Sequence, residues 1–135
     1  ISSFKKDIKK TKVIFRTENH YKSQIIQMPG EIESNLILED YINIFKNYAE
    51  KCLPVPPEST YKYVEAKIKL KDEKKAFTDR WIGNKTFSKG ERDNIEMKLC
   101  FGNEKEPDFF FGNNNFDKLS CRLYKPLIEA LNKND

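Results

Sequence analysis

"FSKGERDNIEMKL", residues 87 to 99, decides how the chain is to be read. One glycine, Gly90, stands among six charged side chains, and a short apolar rhythm follows. An EF-hand calcium loop needs alternating oxygen ligands over about twelve residues ending in glutamate, and that spacing is absent. A phosphate loop needs more glycine, with a lysine and a hydroxyl directly after. It is absent too. The pattern that fits is the start of a helix. Asp93 would be the N-cap, accepting from the backbone of residue 96, while Glu96 reaches back to complete a capping box. Gly90 supplies the turn before it, and such a cap contributes about 1 kcal/mol. The stretch is expected to be architecture.

Working outward, 135 residues suit one domain with a real core. With 38% hydrophobic and 34% charged residues, the composition is that of a soluble globular chain. No apolar run approaches the ~20 residues that span a bilayer, and no signal peptide is expected at its start. The opening "ISSFKKDIKK" lacks an initiator methionine, and Phe4 and Ile8 already stand at helical spacing. The chain is therefore expected to be a C-terminal piece of a longer polypeptide. Cys52, Cys100 and Cys121 are odd in number and far apart, which suits small buried hydrophobes in a reducing compartment. With His20 the only histidine, no Cys/His zinc site has ligands at usable spacing. The net charge of +4 rests on 21 lysines and only four arginines. Part of that basicity follows from an AT-biased composition rich in Asn, Ile and Phe, so it permits nucleic-acid contact without showing it.

After an opening helix, residues 12–18 and 21–28 read as a hairpin of β-branched and aromatic residues, with "NH" at its turn and "PGE" ending it. Ser34 or Asn35 can cap the next helix. Leu38, Tyr41, Ile42, Phe45, Tyr48, Ala49 and Cys52 then follow as one buried stripe. "LPVPPEST" (53–60) should be a stiff extended connector, and "YKYVEAKIKL" is ambiguous between strand and helix. A helix over 72–82 ends at Gly83, placed as a left-handed cap. The last helix carries Phe116, Leu119, Leu123, Leu127 and Leu131 on one face, and Pro126 should kink or restart it.

The sharpest catalytic possibility is a magnesium-dependent nuclease, which needs an acidic residue and then a carboxylate and a lysine two apart on a strand. Glu65 and Lys67 have that form. So do Asp7/Lys9, Asp72/Lys74, Glu73/Lys75 and Glu96/Lys98, which is what chance gives in a lysine-rich chain. The only Pro-Asp pair, Pro107 and Asp108, follows "EAK" instead of preceding it. His20 falls in a hairpin turn with no Ser or Cys that the sequence can place beside it. Phe109, Phe110 and Phe111 cannot all point inward from a regular element. Two are expected in the core, and the third as a partner contact or a base-stacking platform.

The order of pieces resembles the C-terminal domain of the gamma subunit of exodeoxyribonuclease V, the RecC family of bacterial helicase–nucleases. The resemblance lies in "YINIFKNYAEKCLPVPPESTYKYVEA", "KKAFTDRW" (74–81), "GERDNIEMKLCFG" (90–102) and "CRLYKPLIEAL" (121–131), and covers about residues 39–135. It implies an α+β, restriction-endonuclease-like fold that has lost its metal ligands, here helix-rich with a small N-terminal hairpin. It implies a non-catalytic role within a cytoplasmic, ATP-dependent complex of DNA repair and recombination. The partners would be the beta (helicase and nuclease) and alpha (helicase) subunits and DNA, with no membrane. No cofactor, metal or catalytic residue is carried over. Pro54, Pro57, Phe109, Phe110 and Phe111 are the expected interface. The rival readings are an active magnesium-dependent nuclease using Glu65 and Lys67, and a stand-alone single-strand binder.

Overall fold

The computed structural model describes residues 10–16, 21–27, 30–84, 88–103 and 105–132. It is helix-rich. Strands β1 (Lys10–Arg16) and β2 (Tyr21–Gln27) pair antiparallel, with Lys10 opposite Gln27 and Arg16 opposite Tyr21. Helices α1 (Glu31–Tyr48), α2 (Pro57–Ile68) and α3 (Glu73–Ile82) follow. A two-residue ladder joins β3 (Gly83–Asn84) to β4 (Ser88–Lys89). A 3₁₀ turn (Glu91–Asp93), α4 (Ile95–Phe101), the one-turn α5 (Asp108–Phe111) and the long α6 (Phe116–Asn132) complete the chain. The described strands form two separate two-stranded ladders. The hairpin expected from the sequence is therefore present, whereas no central sheet of a nuclease-like fold is found among the described residues. The expected opening helix and the hairpin turn with His20 lie outside the described residues.

The proline-rich segment corrects the sequence reading. Only its first half is a connector, because Pro57 is the first residue of α2. A proline at that position has no N–H to lose, and its fixed φ already suits the helix. The helix then runs through the ambiguous "YKYVEAKI", burying Ser59, Thr60, Tyr63, Val64 and Ala66. Glu65 and Lys67 consequently lie on a helix, not on a strand. Its end is a Schellman motif: Lys71 N–H donates to Ala66 O at 2.9 Å and Leu70 N–H to Lys67 O at 3.2 Å. Leu70 occupies the left-handed position, with φ 52° and 95% of its surface exposed. A Cβ is unfavourable there and glycine is not. Leu70→Gly should therefore stabilise the domain by about 0.5–1 kcal/mol. A fall in Tm for that variant would show that the leucine has a packing role.

Helix α3 follows the sequence reading closely. The Asp72 side chain caps it by accepting from Lys75 N–H at 2.9 Å, and Gly83 closes it at φ 75°. The ψ of 176° at Gly83 leads the chain into β3 and not around a left-handed turn. Helix α3 packs on α2, and α2 packs on α6. Between them lies an aromatic core in which Phe77, Trp81, Phe110 and Phe116 are buried, with Tyr63, Phe101 and Phe111 against them. The ring centroids of Trp81 and Phe110 stand 4.9 Å apart and those of Phe77 and Phe111 5.1 Å apart, both edge to face. Trp81 Nε1 donates to the Lys105 carbonyl at 2.7 Å, so the indole is buried without losing a hydrogen bond.

Helix α6 continues through Pro126 without restarting. Proline withholds a donor from the preceding turn. In that turn the Tyr41 hydroxyl donates to the Leu123 carbonyl at 2.8 Å. Tyr41→Phe should cost about 1 kcal/mol, measurable by urea unfolding. The buried line of α6 is Phe116, Leu119, Ser120 and Ile128, while Leu127 is exposed. The expected five-residue face therefore shifts at its C-terminal end.

Helix α1 departs furthest from its sequence reading. It begins at Glu31 after Gly30, without a side-chain cap from Ser34 or Asn35. Glu31 and Glu33 in the first turn suit the positive end of its dipole. The expected buried stripe largely faces outward: Leu38, Ile42 and Phe45 are exposed, Phe45 by 73%. Ile44 is buried in their place, with Tyr48 packed beside it. The cause is the polar pairing with α6, which turns Tyr41 and Asp40 toward that helix.

Candidate functional site

Gly90 and Glu91 answer the question posed by "GERDN", and not through the expected capping box. The N-cap of α4 is Asn94, which makes no side-chain capping bond, and Asp93 lies in the 3₁₀ turn. The asparagine carbonyl accepts from Lys98 N–H at 3.1 Å, so the helix starts one residue later than the box requires. The carboxylate that caps is Glu91, and the helix it caps is α2. Glu91 Oε1 accepts from Glu58 N–H at 2.8 Å, and Oε2 accepts from Ser59 N–H at 2.6 Å and Ser59 Oγ at 2.5 Å. The side chain is 1% exposed. Both oxygens serve the positive end of α2, which satisfies N–H groups that have no partner inside the helix. Gly90 makes this approach possible, since a Cβ there would stand 2.3 Å from the Ile82 carbonyl oxygen. Arg80 secures the same junction, pairing with Glu58 and donating to Lys89 O at 3.3 Å. The carboxylate is a structural clamp.

Other acidic residues near the core are engaged in the same manner. Glu65 pairs with Lys62 and Lys69, each at 2.8 Å, and their hydrogen bonds hold its carboxyl below the ordinary range. Lys67 points elsewhere, because residues two apart on a helix stand about 200° apart. It pairs with Asp117, and that hydrogen bond raises the lysine. Asp117 also accepts from Tyr63 OH at 3.0 Å. Burial pushes the Asp117 carboxyl up, and the hydrogen bonds from Lys67 and Tyr63 more than offset it. Tyr63 is pushed up by burial first and by that carboxylate second. Glu65 and Lys67 thus do not converge on one point, as a nuclease site would need. Among the described residues, no three His, Cys, Asp or Glu side chains group closely enough to hold a metal ion.

Between α1 and α6 lies a cleft of about 380 Å³, which the sequence reading missed. Ile44, Asn47 and Tyr48 line it from α1, Lys51 from the connector just beyond, and Asn115, Lys118, Leu119 and Arg122 from α6 and the turn before it. Arg122 is held in place by a two-pronged pair with Asp40, its Nε 2.9 Å from Oδ2 and 3.1 Å from Oδ1. Those hydrogen bonds hold the Asp40 carboxyl down against burial, with the charges of Arg122 and then Lys118 adding. Among the described residues neither Lys51 nor Lys118 has an ion-pair partner, and Lys51 sits over the Tyr48 ring at 5.1 Å from its centroid. Two lysines, one fixed guanidinium, two amides and a half-buried aromatic ring therefore surround one opening. Chemically this suits a phosphate-bearing ligand with a planar group. The available signal was the i,i+4 spacing of Asn47/Lys51 and Lys118/Arg122. Their meeting joins segments about seventy residues apart, and nothing in local spacing announces it.

The expected interface residues divide. Phe110 is fully buried in the core and has no surface to offer a partner. Phe111 packs half-buried beside it, and Phe109 is 48% exposed with the Lys105 ammonium 4.7 Å from its ring centroid. Pro54 is half-buried and Pro57 exposed. The cysteines correct their reading: Cys52 and Cys100 are exposed, and only Cys121 is partly buried. Cys52 lies beyond the end of α1, and α4 turns Met97 and Phe101 to the core, leaving Cys100 outside. No helix among the described residues is long and apolar enough to cross a membrane. No protein-family model, no curated protein and no solved structure matches this chain.

Proposed function

We propose that this domain is a non-catalytic interaction module that docks other polypeptides and guides a nucleic-acid strand by its phosphates. The observation that carries the reading is the double use of α1. Its outer side presents Leu38, Ile42 and Phe45 to solvent, while its inner side lines the cationic cleft with Ile44, Asn47 and Tyr48, beside Lys51 of the following connector and opposite Lys118 and Arg122. An exposed apolar stripe suits a protein partner, and paired lysines suit phosphate contact without base readout. The setting implied by the sequence resemblance is a degenerate nuclease-like domain of the exodeoxyribonuclease V gamma subunit. There the outer stripe and Phe109 would meet the alpha or beta subunit, and the cleft would steer a separated DNA strand. That setting is supported by four motifs in order, and not by the strand arrangement.

Anisotropy titrations of a labelled single-stranded oligonucleotide, at salt concentrations from low to physiological, test the cleft. Weak binding with a steep salt dependence is expected. Lys51→Ala combined with Lys118→Ala should flatten the log–log salt slope by about 1.4, two contacts at ~0.7 each on a single strand. An unchanged slope would remove the cleft from the nucleic-acid path.

A further inference from the structure

The cleft between α1 and α6 holds about 380 Å³, toward the small end of ligand pockets, which run from about 300 to 1,000 Å³. A groove that tracks several nucleotides presents a row of cations and a succession of stacking rings. Here a single ring, Tyr48, stands at the opening, with the Lys51 ammonium 5.1 Å from its centroid. That is equipment for one nucleotide. The cations are gathered in the same way: Lys51, Lys118 and Arg122 face one space, and among the described residues no carboxylate lines it. Asp40 balances one of the three charges through its two-pronged pair with Arg122, which leaves a surplus of two. That pair occupies Nε and Nη2 of the guanidinium. Among the described residues Nη1 has no protein acceptor.

A phosphodiester inside a strand carries one negative charge, whereas a phosphomonoester carries about two at neutral pH and presents three strong acceptor oxygens. The monoester matches both the surplus charge and the unused side of the guanidinium fork. We infer that the cleft takes the end of a nucleic-acid strand, a terminal nucleotide bearing a phosphomonoester, and not a passing stretch of backbone. Lys51 and Lys118 balance the dianion. Arg122 donates through Nη1 from a position that Asp40 holds fixed, and Tyr48 offers its ring to the terminal base. Asn47 and Asn115, at the same opening, supply neutral donors and acceptors for the sugar hydroxyls. The inference rests on the phosphate-guiding role proposed for the cleft and deepens it, since the domain then holds a strand by its end.

The test uses the whole chain at low salt and one short single strand, labelled internally, phosphorylated at its 5′ end, at its 3′ end or at neither. In anisotropy titrations at least one phosphorylated form should bind about tenfold more tightly than the unphosphorylated form, the gain from one further charge-assisted hydrogen bond. Lys51→Ala with Lys118→Ala, both at exposed positions, should erase that gain. Arg122→Lys, which keeps the charge and loses the fork, should reduce it. Adenosine monophosphate should displace the phosphorylated strand only at concentrations above the strand's own Kd. Equal affinity for the three forms, with binding still dependent on the lysine pair, would overturn the strand-end inference and leave the phosphate-guiding reading standing. A gain that survives the double substitution would overturn it too, and so would a mononucleotide that binds more tightly than the phosphorylated strand. Binding that ignores the lysine pair for every form would remove the reading of the cleft itself, and the inference with it.

Discussion

Replacing Glu91 by alanine should destabilise the domain by about 3 kcal/mol, since hydrogen bonds to a charged acceptor contribute about 1.5–3 kcal/mol each. At this chain length that lowers Tm by roughly 10 °C. The reason lies in what is left behind. Glu58 N–H, Ser59 N–H and Ser59 Oγ all donate to this one carboxylate. Water reaches the emptied space poorly, because Ser59 is itself buried. Glu91→Gln keeps an acceptor oxygen and the side-chain shape but loses the charge facing the helix dipole, and should cost about half as much. Thermal and urea unfolding followed by circular dichroism measure both. An alanine variant within about 0.5 kcal/mol of wild type would mean that the start of α2 is held by other contacts.

The second large effect separates neighbours in "DFFF". Phe110→Ala should cost about 3–5 kcal/mol, because it empties a site enclosed by Phe77, Trp81, Phe101 and Phe116. Phe109→Ala, one residue away on the exposed side of α5, should cost less than about 1 kcal/mol. If the surface reading of Phe109 is right, that second variant alters association with a partner and leaves folding intact. Equal losses from the two substitutions would place both rings in the core.

The sequence was legible where a local signal decided the outcome. The β1–β2 hairpin follows from β-branched runs around a short turn. Helix α3 follows from the glycine placed after it, and the unequal fates of the three phenylalanines follow from helical geometry. It was misleading where two answers were locally equivalent. Helix α1 is apolar around much of its circumference, so the choice of buried side fell to Tyr41 and Asp40 meeting α6 about eighty residues later. The prolines before α2 read as a connector because their compatibility with a first helical turn shows only in context. Glu91 was missed for a related reason. Its neighbours Asp93 and Glu96 offered a plausible local cap, whereas its real partners, Glu58 and Ser59, are more than thirty residues away. The cleft shares that origin, since its cations come from two distant segments and converge only after folding.

These carboxylates are spoken for inside the fold, and a divalent cation tests that statement most directly. Manganese added to the isotopically labelled protein broadens the amide signals near any bound ion. Only weak, diffuse broadening at exposed acids is expected, with the amides of Glu65, Lys67, Glu91 and Asp117 no more affected than their surroundings. Selective broadening at those four, together with magnesium-dependent DNA cleavage lost in Glu65→Ala, would contradict the account of a non-catalytic module.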